Sequence, residues 1–215
     1  MSGVRTQLLD WDHNWDTPAS PIAVLGDSAA DRYVHGVAWH CYAGNSSAQS
    51  AVHDRFRNVA TYFTECSGGD WAKDFGDNLL WNVRTLIIGT TRNWASGVSL
   101  WNLALDEKHG PHRGGCGDCR GVVTIDSASG AITRNEEYYA LAHASKWVRP
   151  GSVRVASTSD STIEHVAFLS PREHRIVLII VNPARHPVTV DIVGASTPAR
   201  LRMPTRSVAT IEWQR

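Results

Sequence analysis

The sequence predicts two structural regions, an α/β region followed by an all-β region. Over the first two-thirds of the chain, short apolar segments alternate with helical patterns, which is typical of βα units. After Pro150, short β segments are broken by Pro, Gly, Ser or Asn about every eight to twelve residues, which is typical of an antiparallel β-sandwich. We therefore expect a first domain over residues 1–149 and a second over residues 150–215.

The first region contains four candidate βα units. The candidate strands are residues 6–12, 35–44, 58–65 and 96–105, and the candidate helices run from Ser20 as N-cap with Pro21 at the first helical position towards Val34, over residues 47–56, and over residues 77–95. Four such units make half of a (β/α)₈ barrel or an ordinary open α/β sheet. The residues alone leave both possibilities open.

One more helix is predicted at the end of the first region, and six strands are predicted in the second region. A helix is predicted from Asn135, as its cap, with Glu136 and Glu137 favouring its amino-terminal end. The candidate sandwich strands are residues 152–158, 163–170, 175–182, 188–193, 199–204 and 207–213. We expect residues 175–182, "RIVLIIVN", to form a core strand.

Composition excludes several classes of partner. Hydrophobic residues make up 42% of the chain, and 21 basic residues balance 21 acidic ones. Nucleic acids and anionic membranes bind net positive surfaces, so we expect neither partner. No apolar run reaches the roughly 18 residues of a membrane span, and residues 1–16 lack the apolar core of a secretion signal.

The four cysteines suggest different arrangements. Cys116 and Cys119 form a CxxC in a Gly-rich loop, where a local disulfide is preferred over a thioredoxin-like or zinc site. His109 and His112 could complete a zinc site, but loop histidines are more often solvated. Cys41 and Cys66 sit at matching heights on adjacent strands and could touch, but we expect two buried thiols rather than a bond.

Polar side chains gather at the predicted strand ends. The four strands end in Asp12, in His40 with Tyr42, in Glu65, and in Trp101. Active sites of β/α barrels lie at the carboxyl ends of the strands. A carboxylate with a His, a Tyr hydroxyl and an aromatic wall suits glycoside hydrolysis, although a structural, salt-bridged Glu65 is the alternative.

Several segments together resemble the carboxyl-terminal half of glycoside hydrolase family 30, which includes lysosomal glucosylceramidase and endo-β-1,6-glucanases. The segments are "GVAWHCYAG", "TECSGG", "SLWNLAL", "RGVVTID" and "YYALAHASKWVRPGSVRV". The resemblance runs from about residue 6 to the carboxyl terminus. It implies strands five to eight of a (β/α)₈ TIM barrel followed by a β-sandwich, and a retaining β-glycosidase acting by a two-carboxylate double displacement.

The resemblance also implies site residues. It makes Glu65 in "TECSGG" the catalytic nucleophile, and it makes His40 and Tyr42 in "WHCY" contacts of the nucleophile and the sugar. Trp101 in "LWNLAL" matches an aromatic residue beneath the sugar. Asp12 and His13 in "DWDHNWD" are weaker candidates for substrate binding.

The general acid/base of the family, a Glu in an Asn-Glu-Pro motif, has no match here. Asn135-Glu136 is followed by another Glu and opens a helix. A retaining mechanism needs both carboxyl groups, so we expect the chain alone to be inactive on unactivated glycosides. A complementing amino-terminal half chain is a possible partner. No cofactor or metal is expected. The resemblance implies a β-glucoside or β-glucan as substrate and an extracellular location.

Two other function classes compete with the glycosidase. A non-catalytic carbohydrate-binding remnant would use Trp101, Trp15 and the sandwich surface. A redox or metal protein would use the CxxC.

Overall fold

The computed structural model describes residues 6–158, 162–194 and 198–215. These residues form two compact units. One contains the residues up to Cys66 together with Gly89–Leu100, and the other contains Ser67–Ile88 and Trp101–Arg215. The expected domain boundary between residues 149 and 150 remains a prediction.

The described residues contain strands and helices in the following order along the chain. The strands are β1 Leu8–Asn14, β2 Val34–His40, β3 Ala60–Glu65, β4 Gly68–Gly69, β5 Ala95–Val98, β6 Ala104–Leu105, β7 Cys119–Arg120, β8 Val123–Ile125, β9 Ile132–Arg134, β10 Val153–Val155, β11 Glu164–Ser170, β12 Arg175–Asn182, β13 Val188–Ile192, β14 Ala199–Met203 and β15 Ser207–Gln214. The helices are α1 Ala19–Gly26, α2 Ser28–Asp31, α3 Ser47–His53, α4 Phe75–Asn82, α5 Thr90–Arg92 and α6 Glu136–Ser145, and a π-helix spans Val83–Gly89.

The first unit is built on a parallel sheet with strand order β1-β2-β3-β5. Val37 of β2 is paired with Thr61 of β3, and Ala38 is paired with Trp11 of β1. All residues of β2 from Gly36 to His40 are buried, as expected for a central parallel strand with both faces covered. The predicted α/β region is therefore confirmed, and the carboxyl ends of its strands lie at one edge of the sheet.

Two helix predictions need correction. Residues 19–31 form two helices rather than one, because Asp27 leaves the helical conformation and its side chain accepts a hydrogen bond from the Ala29 backbone NH at 2.8 Å. Ser20 is not the N-cap, since Pro18 holds that position and Pro21 is the third residue of α1, within its first turn. Proline is tolerated there because the first-turn NH groups have no intrahelical partner.

The predicted helix over residues 77–95 begins at Phe75 and changes type along its length. Asp74 caps it by accepting a hydrogen bond from the Asp77 NH at 2.7 Å. From Val83 to Gly89 the turns widen to a π-helix, in which Leu86 and Ile87 are buried. Tertiary packing, which sequence periodicity does not report, decides such a change of helix type.

The predicted fourth strand, residues 96–105, is also shorter than expected. Strand β5 ends at Val98, while Ala104–Leu105 pairs with β8 in a separate sheet of order β6-β8-β9. The apolar run that was predicted as one strand therefore contains two short strands, which belong to different sheets.

The second unit contains the predicted sandwich. A four-stranded antiparallel sheet has the order β10-β11-β12-β15, and a two-stranded antiparallel sheet is formed by β13 and β14. Buried residues from both sheets, together with Ile163 just before β11, form one core, comprising Ile163, Ala167, Leu178, Ile180, Ile192 and Met203. Strand β12 is the predicted core strand, because it pairs on both sides and is buried from Val177 onwards. The all-β prediction is confirmed.

The helix predicted from Asn135 also forms, as α6. The side chain of Asn135 does not cap it, because its amide donates to the Gly121 carbonyl at 2.8 Å and to the Thr124 hydroxyl at 2.9 Å. Within the described ranges, no helix combines the length and the apolar character needed to cross a membrane.

Both cysteine pairs are disulfides. Cys116 and Cys119 are bonded with their Cα atoms 5.5 Å apart, as the CxxC spacing suggests. Cys41 and Cys66 are bonded with a Cα separation of 5.4 Å, so the expectation of two free thiols was wrong. Adjacent parallel strands bring these two Cα atoms within disulfide range because each cysteine directly follows a strand end.

Candidate active site at the strand ends

The site is centred on the carboxyl ends of β1, β2 and β3. His40, the last residue of β2, pairs in register with Asn14 of β1 and with Glu65 of β3. The register alone therefore places three strand ends at one level. Asp12, His40, Tyr42 and Glu65 come together there, as the sequence predicted from their positions.

Asp12 is presented by a β-bulge. The pairing of β1 with β2 skips Asp12, and both Trp11 and Asp12 have positive φ angles, of 75° and 48°. Positive φ is uncommon outside glycine, although aspartate adopts it more readily than most residues. Bulges re-aim side chains, and they are frequent beside active sites.

The Asp12 carboxylate receives two hydrogen bonds. The Thr64 hydroxyl donates to Oδ1 at 2.8 Å, and Nε2 of His40 lies 3.0 Å from the same oxygen. Burial opposes ionisation of Asp12, but the hydrogen bond from Thr64 and then that from His40 outweigh it, so the pKa of Asp12 lies below its ordinary value of 3.8. Asp12 is thus a stable anion that orients the imidazole.

The His40 ring lies between the carboxylates of Asp12 and Glu65. Its Nε2 atom carries the hydrogen, because the carboxylate of Asp12 can only accept. The opposite ring atom, Nδ1, lies 4.0 Å from Oε1 of Glu65, which is beyond direct hydrogen bonding. The His40 side chain is 11% exposed, so its orientation is set by packing as well as by Asp12.

Glu65 is held by a tyrosine and remains open to solvent. The Tyr42 hydroxyl donates to Oε1 of Glu65 at 3.1 Å. The Glu65 side chain is 33% exposed. The carboxylate is therefore oriented by a neutral donor. Within the described part of the chain, no Arg or Lys forms an ion pair with it, which disfavours the purely structural alternative.

His13 lies beside this cluster. Its ring is 6.0 Å from the His40 ring in an edge-on arrangement. The Tyr42 ring is similarly edge-on to His40 at 6.2 Å. His40 is thus flanked by two aromatic rings as well as by carboxylates.

The Cys41–Cys66 disulfide follows the site directly in sequence. Cys41 comes after His40 and Cys66 after Glu65, and the Cys41 NH donates to the Glu65 carbonyl at 3.2 Å. The bond therefore joins the two strand ends that carry the histidine and the carboxylate. The sequence prediction of two thiols did not include this bond, although the two cysteines occupy matching positions after their strands.

The sequence also did not indicate that Thr64 would be part of this site. The register of β2 and β3 passes from Trp39–Phe63 to His40–Glu65 and leaves Thr64 unpaired. This irregularity breaks strict alternation, so a residue expected on the other face of β3 reaches Asp12.

The two tryptophans of the carbohydrate-binding hypothesis differ in their exposure to solvent. Trp15 is 3% exposed, and its indole NH donates to Oε1 of Gln49 at 2.9 Å, so it cannot form a sugar platform on the surface. Trp101 belongs to the second unit and is partly exposed. Its contact with a sugar remains a prediction.

The other sequence candidates fall into structural roles. Glu136, of the Asn-Glu pair, is buried and forms an ion pair with Arg120 at 3.1 Å, so it is not a solvent-facing acid. His109 contacts Asp70 at 3.1 Å, and the CxxC sulfurs are bonded to each other, so the zinc alternative lacks its two thiolate ligands. Among the described residues, no group of three His, Cys, Asp or Glu side chains could hold a metal ion.

Two family models together match most of the chain. The model described as the glycosyl hydrolase family 30 TIM-barrel domain matches residues 2–148, and the one described as the family 30 beta sandwich domain matches residues 151–211. The endo-1,6-beta-D-glucanase neg1 of Aspergillus fumigatus is 37% identical, with 83% of this chain and 36% of the relative covered. The lysosomal acid glucosylceramidase of Mus musculus is 29% identical, with coverage of 99% and 43%.

A solved structure extends the comparison. The endo-beta1,6-glucanase BT3312 superposes with a TM-score of 0.91 at 31% identity, over 99% of this chain and 50% of that one. The chain thus spans about half the length, or less, of the relatives that it matches. A partial barrel of four parallel strands, followed by a β-sandwich, is confirmed as the fold. From these matches and this fold, the chain belongs to glycosyl hydrolase family 30.

Proposed function

We propose that Glu65 is the nucleophile of a retaining β-glycosidase that cleaves a β-glucan. The observation that carries this proposal is the hydrogen bond from Tyr42 to a Glu65 carboxylate that remains one-third exposed at the strand ends. A carboxylate held by a neutral donor keeps its electron pair available, whereas a tight ion pair would not. Its position at the carboxyl ends of barrel strands is the position of active sites in this fold.

The proposed reaction proceeds in two displacements. The Glu65 carboxylate forms a bond to the anomeric carbon while the glycosidic C–O bond breaks, and a general acid protonates the leaving oxygen. Water then attacks the anomeric carbon of the glycosyl ester, giving up a proton to the same group acting as base, and Glu65 is released as a carboxylate. The configuration is inverted twice and is therefore retained.

The surrounding side chains would orient this nucleophile. Tyr42 donates to one carboxylate oxygen and fixes the plane of the carboxyl group. Asp12 holds His40 through Nε2, so that Nδ1 faces Glu65. His13 and Trp101 are proposed to contact the sugar, His13 from its place beside His40.

The general acid is proposed to lie outside this 215-residue sequence. Glu136 is committed to Arg120 in the second unit. Loss of general acid–base assistance costs about 10²- to 10⁴-fold in rate. We therefore propose that the chain alone does not turn over an unactivated glycoside, and that a further stretch of chain or a complementing chain provides the missing group.

The proposed substrate is a β-glucan, more specifically one with 1,6 linkages. Identity is higher to the fungal relative named as an endo-1,6-β-glucanase, at 37%, than to the mouse glucosylceramidase, at 29%. The two disulfides support an extracellular location, because such bonds persist in oxidising compartments.

A mechanism-based label tests the nucleophile without the general acid. A 2-deoxy-2-fluoro-β-glucoside with a dinitrophenolate leaving group needs no protonation for departure. The chain should gain one fluoroglucosyl group, located by peptide mass spectrometry on Glu65, and Glu65→Gln should gain none. Glu107→Gln is the matched control, because Glu107 is exposed and accepts a hydrogen bond from the Ser127 hydroxyl. An adduct on another carboxylate, or no adduct on the folded chain, contradicts the proposal.

A further inference from the structure

A second aromatic feature lies in the segment that follows Glu65 in sequence. Trp71 is 57% exposed, yet its ring is held in place. A Cβ atom added to Gly69 would fall 2.1 Å from Cζ3 and 2.3 Å from Cη2 of Trp71. The six-membered part of the indole therefore rests directly on the glycine backbone, while more than half of the side chain faces solvent.

The backbone beneath this ring is firmly anchored. Strand β4, which contains Gly69, pairs with β7, and the Asp70 NH donates to the Asp118 carbonyl at 3.0 Å. Next to this pairing, Arg120 donates two hydrogen bonds to the carboxylate of the buried Glu137, from Nε at 3.2 Å and from a terminal nitrogen at 3.1 Å. A ring on such a support is pre-oriented, which lowers the entropic cost of binding.

A pocket opens beside the ring. Its volume is about 560 Å³, and its lining residues are Asp70, Trp71, Ala72, Lys73, Asp118 and Arg120. This volume lies within the range of about 300–1,000 Å³ that is usual for small-ligand sites. All six residues belong to the second unit.

The charges of the pocket favour a neutral ligand. Asp70 and Asp118 are balanced by Lys73 and Arg120. Arg120 is already paired with Glu136 and Glu137, and Asp70 is 3.1 Å from His109. Among the described residues, Lys73 and Asp118 form no ion pair, and their charges are opposite, so the pocket offers no excess charge of either sign to an anion or a cation.

An indole face with flanking hydrogen-bonding groups matches the chemistry of a sugar. A pyranose presents CH groups on one face and hydroxyl groups around its edge, and Trp combines a large apolar surface with such polar surroundings. Carboxylates accept hydrogen bonds from hydroxyl groups, and an ammonium group donates to them. Nucleobases also stack on indoles, but the chain has no net positive charge to attract a polyanion.

We propose that Trp71 and this pocket bind a glucosyl unit of a neutral β-glucan, as a sugar-binding site contained in the second unit. Trp71 stacks against the sugar ring, while Lys73 and the carboxylates of Asp70 and Asp118 bond its hydroxyl groups. The choice of a glucan rests on the proposed function. The binding itself does not require Glu65 to act as a nucleophile.

Binding of gentiotetraose, a β-1,6-linked glucose tetramer, to the full chain tests the proposal by isothermal titration calorimetry. Trp71→Ala should weaken binding at least tenfold, equivalent to about 1.4 kcal/mol. Trp81→Ala, which removes another exposed tryptophan of the second unit, is the matched control and should leave binding unchanged. Lys73→Ala should weaken binding by a smaller factor, about two- to fivefold, because it removes one solvent-exposed donor.

Two further measurements make the result decisive. Gly69→Ala keeps the indole but displaces it, and should weaken binding as Trp71→Ala does; should that variant fail to fold, Trp71→Ala and Lys73→Ala carry the test. Covalent labelling of Glu65 by the fluoroglucoside is also measured on Trp71→Ala and should proceed as in the wild type, so a failure of covalent labelling and a failure of this site are separate results. Equal binding by Trp71→Ala, absence of binding at millimolar sugar, or tighter binding of a glucuronate oligomer than of the neutral sugar would overturn the proposal.

Discussion

The hydroxyl group of Tyr42 lies 3.1 Å from Oε1 of Glu65 and donates a hydrogen bond to it. The two residues are separated by 23 positions in sequence and lie at the ends of adjacent parallel strands. The contact joins a residue that follows β2 to the last residue of β3. Its consequence is that the carboxylate has a defined orientation without being neutralised.

Removal of this donor should slow covalent labelling of Glu65. Tyr42→Phe loses a hydrogen bond to a charged group, which is worth about 1.5–3 kcal/mol, so the labelling rate should fall tenfold or more. Stability should change little, because Tyr42 is half exposed. Labelling is followed by intact-mass spectrometry, with Tyr33→Phe, another exposed tyrosine, as control. An unchanged rate in Tyr42→Phe would show that the bond does not orient the nucleophile.

Asp12 should make the site sensitive to acid. Its folded-state pKa is lowered, so the unfolded chain binds this proton first as the pH falls. The stabilisation is therefore fully present above the ordinary value of 3.8, and it is lost as the pH falls through the lower folded-state value. Because the Asp12 side chain is 67% exposed, the effect should be small.

Asp12→Asn provides the measurement. Urea midpoints recorded between pH 6 and pH 3 should fall less steeply in Asp12→Asn than in the wild type. Asp16→Asn serves as a neighbouring exposed control. Parallel curves for the wild type and Asp12→Asn would rule out the stated linkage.

The two disulfides should contribute unequally to stability. Cys41–Cys66 closes a segment with a sequence separation of 25, and Cys116–Cys119 one with a separation of 3. Chain entropy then predicts a loss of about 3.5 kcal/mol for the first bond and about 1.5 kcal/mol for the second. Urea unfolding compares two double variants. One combines Cys41→Ser with Cys66→Ser, and the other combines Cys116→Ser with Cys119→Ser. The order of the two losses is the critical result, and a reversed order refutes the prediction.

Gly68 should tolerate no side chain. A Cβ atom at this position would lie 2.1 Å from Oε1 of Glu137, whose carboxylate is fixed by Arg120 and by Asn78 at 2.8 Å. Gly68→Ala must displace a buried charge network, so the free energy of unfolding should fall by about 1–3 kcal/mol or more.

Gly117→Ala is the matched control for that change. A Cβ atom on Gly117 would meet nothing within 4 Å, so its effect should stay within about 0.5 kcal/mol. Thermal unfolding of both variants checks the difference. Equal stability of Gly68→Ala and the wild type would mean that the Glu137 carboxylate moves freely, contrary to its contacts.

Local sequence patterns predicted much of the candidate site. Parallel strands end at a common edge, so residues at the ends of successive apolar segments had to meet, and His40, Tyr42, Glu65 and Asp12 do so. The predicted alternation of side chains failed where a strand contains one extra residue that pairs with no residue of its neighbour. The bulges at Asp12 and Thr64 join two side chains that strict alternation separates.

The sequence by itself determined the succession of a β/α region and an all-β region, together with the carboxylate at the end of the third strand, because these depend on periodicity and order along the chain. Only the tertiary structure decided that Cys41 and Cys66 are bonded, that Trp15 is buried, and that Trp71 rests exposed on Gly69. The physical reason is that each of these outcomes depends on the distance between chain segments or on solvent access, and local sequence patterns encode neither quantity.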